Sequence, residues 1–91
     1  MEKIDVDTYF NDVVARIKAI EGMFTMVFRK QAKDMGIGKT ASPAQIDELA
    51  SKTASAMEFF VGEKMKRNIL RVMRSELKKK APEYFQKKYG I

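Results

Sequence analysis

Lys64, Arg67, Arg71, Arg74 and Lys78 follow one another at intervals of 3, 4, 3 and 4 residues. On a helix that spacing sets all five cations along one narrow face. The row runs for roughly 21 Å at ~1.5 Å per residue, long enough to follow a series of phosphates. Three of the five are arginines, whose planar guanidinium grips phosphate oxygens in pairs. Lys79, Lys80, Lys87 and Lys88 extend the same basic region toward the C-terminus. Residues 64–88 carry 10 basic and 2 acidic side chains, a net of +8, against +6 for the whole chain. Charge segregated in this way implies an acidic partner: DNA or RNA, or an acidic protein surface.

Other chemistries find little material. The chain has no histidine and no cysteine. Imidazole catalysis, thiolate chemistry, disulfides and the usual zinc and iron–sulfur ligand sets are therefore absent from the reading. The 12 acids are dispersed, so the sequence points to no catalytic residue, metal site, cofactor or small-molecule substrate. Gly38-Lys39-Thr40 imitates the end of a phosphate-binding loop, but Lys33 stands where that motif needs its first glycine. Ala32, Gly36 and Ile37 have the spacing of a helix-turn-helix turn. Ser42-Pro43 then begins a helix where a recognition helix should already be under way.

The elements that must carry the basic row are helical. Val6, Phe10, Val13, Ile17, Ile20, Phe24 and Val27 alternate at 4 and 3, a heptad seam. This predicts a helix over about residues 5–35, with Gly22 as a candidate bend. Met23 to Phe28 is apolar around most of its circumference, and a short strand is the rival reading there. A turn follows over 36–42, with Gly36 at or near the position just past the helix end. Ser42-Pro43-Ala44-Gln45 then reads as a capping box with proline at the first helical position. The second helix should run over about 43–80 and stop before Pro82, with Gly62 as a place to divide it. The tail, 82–91, has room for a short helix bearing Tyr84, Phe85 and Tyr89, aromatics that stack on bases or close the end of a bundle.

The expected fold is all-α: a long helical hairpin with a short C-terminal helix, pairing into a dimeric four-helix bundle. Phe24, Val27, Phe28 and Phe60 are the expected oligomer interface. If Gly22 and Gly62 both break their helices, the chain folds on itself instead. An antiparallel hairpin also sets the acidic segment with Glu2, Asp5, Asp7 and Asp12 beside the basic face, so internal pairing competes with ligand binding. Glu76 interrupts the apolar arc, with Lys80 one turn on as its expected partner.

The functional expectation is a small basic helical protein that binds nucleic acid with little regard to sequence. The roles in view are chromatin-like, viral nucleoprotein or small regulator. The alternative is a helical-hairpin adaptor or self-assembling structural protein with no nucleic-acid role. A membrane surface is a weaker partner, because the apolar side of the basic helix is needed for the core. With an acidic N-terminus and no secretory pattern, the expected location is the cytoplasm, or the virion if the protein is viral.

Overall fold

The computed structural model describes residues 3–90. In chain order the elements are β1 (Ile4–Asp5), α1 (Val6–Val14), a 3-10 turn (Lys18–Ile20), α2 (Glu21–Asp34), β2 (Thr40–Ala41), α3 (Pro43–Lys80) and α4 (Pro82–Tyr89). The class is all-α, with one small addition that the sequence did not announce. β1 and β2 pair antiparallel, Ile4 opposite Ala41 and Asp5 opposite Thr40, and tie the N-terminal segment to the loop before α3.

The expected single helix over 5–35 is two helices. α1 ends at Val14, and the amides of Arg16 and Ile17 turn back to the carbonyls of Val13 and Val14. Gly22, the candidate bend, lies inside α2, and the break falls at residues 15–20, where the sequence has neither glycine nor proline. Packing decides it. In a straight helix Phe10 and Phe24 would stand about 21 Å apart along the axis. Here α2 folds back on α1, and their rings stack with centroids 5.9 Å apart. Phe28 joins them at 5.1 Å from Phe10 and 5.6 Å from Phe24. The apolar seam is thus satisfied within one chain.

α3 starts as its sequence dictates. The Gln45 amide donates to Ser42 Oγ (3.2 Å), and the Ser42 amide donates to Gln45 Oε1 (2.9 Å). Ser42→Ala should therefore lower stability by about 0.5–2 kcal/mol, read as a drop in thermal midpoint. A neutral result would show that the box contributes nothing to the helix start. The preceding helix ends on Gly36 at φ 73°, with the Ile37 amide bonded to the Ala32 carbonyl and the Gly36 amide to that of Lys33. That reciprocal pair satisfies two carbonyls of the last turn of α2.

Gly62 divides α3 into arms, residues 43–61 and 63–80. Its φ of 85° and ψ of 170° lie in a region that side chains with a Cβ essentially do not enter. An unbroken 38-residue helix would be about 57 Å long, whereas the longest dimension of the molecule is 34 Å. Both arms return to one core containing Tyr9, Phe24, Phe28, Leu49, Met57, Ile69 and Leu77. Tyr9, deep in that core, donates its hydroxyl to the Met73 carbonyl at 2.9 Å, fixing α1 to the C-terminal arm.

The interface residues expected from sequence divide accordingly. Phe24 and Phe28 are fully buried in their own chain, and Val27 is half-buried against the same core. Phe24 and Phe28 have no free surface for a second copy. Phe60 remains exposed, as do Phe59 and Met26.

Candidate nucleic-acid interface

Four of the five cations in the basic row converge on one open groove of about 500 Å³. Arg67, Arg71, Arg74 and Lys78 line it, together with Leu70, Ser75 and Phe85, and none of these residues is acidic. The C-terminal arm of α3 supplies the cations. α4 closes one side through Phe85, which is buried and packs against Tyr89 at 4.6 Å. Apolar side chains thus border a row of charges.

The described acids of the N-terminal segment lie elsewhere. Asp5 caps α1 by accepting from the Thr8 amide at 2.8 Å, a bond that holds its carboxyl below the ordinary value of 3.8. Asp7 pairs with Arg29 at 3.0 Å, and Asp12 with Lys80 at 2.6 Å. Lys80 is therefore the one cation of the basic segment paired with an N-terminal acid among the described residues; Glu2 lies outside them. Arg67 has a long contact to Glu63, 3.9 Å between two exposed side chains. Such a pair yields readily to a ligand. Arg71 is oriented by Asn68 Oδ1 at 2.6 Å, a neutral partner that leaves its charge intact. Among the described residues no acid pairs with Lys64, Arg71, Lys78 or Lys87, and all four are exposed. Lys64 borders a separate hollow with Val61, Met65 and Asn68.

Besides Arg67, four of the predicted contacts are engaged by acids: Arg74 faces the Asp47 carboxylate at 3.7 Å, and three lysines are paired. Lys79 reaches Glu76 at 3.2 Å, Lys80 reaches Asp12, and Lys88 reaches Asp47 at 3.1 Å. Glu76 takes Arg16 at 2.8 Å and Lys79, and not Lys80 as its spacing suggested. The break before α2 places Arg16 against this part of α3, and Glu76 is the interior anchor for it.

The residue that sequence reasoning missed is Asp47. It is 2% exposed and sits in the N-terminal arm of α3 under α4. Its Oδ2 accepts from the Tyr89 hydroxyl (2.7 Å), the Tyr84 hydroxyl (2.9 Å) and Lys88 Nζ. Its Oδ1 faces Arg74 Nε at 3.7 Å, and the Arg74 guanidinium lies over the Tyr89 ring at 5.2 Å. Burial by itself pushes the carboxyl up, but the bonds from Tyr89, Tyr84 and Lys88 outweigh it and hold Asp47 below its ordinary 3.8. Desolvation and the bond to that carboxylate push both tyrosines up, and the same carboxylate pushes Lys88 up. The trace in the sequence was the run Asp47, Ala50, Ala54, Met57, spaced 3, 4, 3 and wholly buried.

Asp47 also decides the role of the C-terminal aromatics. With both hydroxyls bound to it and Phe85 buried, Tyr84, Phe85 and Tyr89 close the end of the bundle. They offer no free stack of faces for bases. What the site presents is charge in a row, with Ser75 as the one hydroxyl side chain lining it, itself bonded to Arg16 at 3.1 Å. No group of three or more metal-ligating side chains occurs among the described residues. No helix among them is long and apolar enough to cross a membrane. Compared with known protein families, with curated proteins and with solved structures, the chain matches none.

Proposed function

We propose that this chain binds nucleic acid through the groove along the C-terminal arm of α3, by sequence-independent contacts to the phosphate backbone. The observation that carries the reading is the convergence of Arg67, Arg71, Arg74 and Lys78 on an open groove with no acid in its lining. Their row spans roughly 17 Å at ~1.5 Å per residue. One strand of a duplex presents a charge every ~3.4 Å of axis, so the row faces about five phosphates. Lys64 and Lys87 are exposed cations outside the groove that add to its field. With the aromatics engaged in closing the bundle, base stacking is not on offer, which favours the backbone of a duplex.

The test is binding of Arg67→Ala and Arg71→Ala to several unrelated duplexes. Both side chains are exposed, so the fold should persist within about ±0.5 kcal/mol. Affinity should fall to a similar extent for every sequence, because phosphate contacts carry no base code. Unchanged affinity in both variants would refute the reading.

A further inference from the structure

We infer that a second copy of this chain docks on the apolar face formed by α2 and the end of the N-terminal arm of α3, on residues separate from the basic groove. Met26, Val27, Lys30, Ala56, Phe59 and Phe60 surround a hollow there of about 390 Å³. Phe59 is 92% exposed, Met26 72% and Phe60 64%. A contiguous apolar surface of this kind on a small protein marks a contact site.

Charge favours a second copy as the occupant. The face is bordered by two ion pairs, each internally neutral: Lys30 with Asp34 and Lys52 with Glu48. Spacing places them there, since Met26, Lys30 and Asp34 share a stripe of α2. Glu48, Lys52, Ala56 and Phe60 share one of α3. On a chain of net +6 the residues lining the hollow, taken with these pairs, carry no net charge. Two copies meeting through it set neutral surface against neutral surface and leave the basic grooves out of the contact. Nucleic acid finds no unpaired cation among these residues. A projecting ring beside a hollow also suits a two-fold contact. A projecting Phe59 lies at the edge of a hollow, so about a two-fold axis each copy's Phe59 enters the other's hollow.

The area sets the strength. Taking ~200 Å² for a large apolar side chain, Met26, Phe59 and Phe60 remove about 450 Å² per copy, or ~900 Å² in all. Specific interfaces bury about 1,200–2,000 Å², so the flanking stems complete a small interface and the dimer is weak.

The experiment is sedimentation equilibrium of the nucleic-acid-free protein at high salt, so that no bound nucleic acid bridges copies. The nucleic-acid reading and this one then fail separately. A monomer–dimer equilibrium at micromolar concentration is expected, weakened roughly tenfold by Phe59→Ser, whose exposed position leaves the fold intact. Concentration-dependent amide shifts should centre on Met26, Ala56, Phe59 and Phe60. A monomer at high micromolar concentration, a dimer undiminished in Phe59→Ser, or shifts centred on the groove would each overturn the inference.

Discussion

Asp47→Ala is expected to destabilise the fold by about 3 kcal/mol, the lower end of the cost of breaking a buried ion pair. The lower end applies because Lys88 and Arg74 keep enough exposure to turn to water once their partner is gone. The two phenol hydroxyls, on partly buried side chains, also lose their acceptor under α4. The variant should therefore lose α4 protection first, seen as faster amide exchange over residues 82–89. The global transition should fall in chemical denaturation. Stability in the wild-type chain should also depend on acid in a defined direction. Asp47 is held below 3.8 in the fold, so its contribution is fully present above the ordinary carboxylate range. It is lost only as the pH falls through the depressed value. Between pH 5 and 8 this group should contribute no slope. Asp47→Ala should abolish its share of the acid limb. A variant with unchanged denaturation midpoint and unchanged α4 exchange would contradict the role of Asp47 as the anchor.

Phe24→Ala should cost about 3–5 kcal/mol, the range for deleting a fully buried aromatic side chain. The ring is completely enclosed, stacked on Phe10 and tilted against Phe28. Its removal leaves a cavity between α1 and α2 that their backbones cannot both close. The effect should be the same at every protein concentration, because the cavity lies inside one chain. If the loss of stability disappeared on concentrating the protein, Phe24 would belong to an interface between copies, and the placement of α2 on α1 would be wrong.

These two residues also mark where the sequence was and was not legible. Local chemistry was readable wherever a residue acts through its own backbone or its near neighbours. Ser42 and Gln45 made the box that their spacing demanded. Gly36 took the position past the helix end, and Gly62 broke α3. The basic row too was readable, because helix spacing alone puts Arg67, Arg71, Arg74 and Lys78 on one face. The break at residues 15–20 was not readable, since no residue there disfavours a helix strongly. It exists because stacking Phe10, Phe24 and Phe28 outweighs a few lost helical hydrogen bonds. A heptad seam specifies that apolar residues meet something; it does not specify whether the partner is another chain or the same one folded back. The expected dimer interface at Phe24 and Phe28 failed on that ambiguity. Asp47 was hidden for a related reason. Its partners Tyr84, Lys88 and Tyr89 come from α4, some 40 residues on, and no local pattern joins them. Even so, an acid on a buried 3-4-3 stripe is costly without a partner, which was the signal that some distant segment had to supply one.

The most direct test of the nucleic-acid reading is the salt dependence of duplex binding, measured for the wild-type chain and for Arg67→Ala, Arg71→Ala and the double variant. If the groove tracks phosphates, log K falls linearly with log salt. For DNA each arginine removed then flattens the slope by about 0.9, and the double variant by about twice that. A slope unchanged by both substitutions, in proteins that remain folded, would contradict the account.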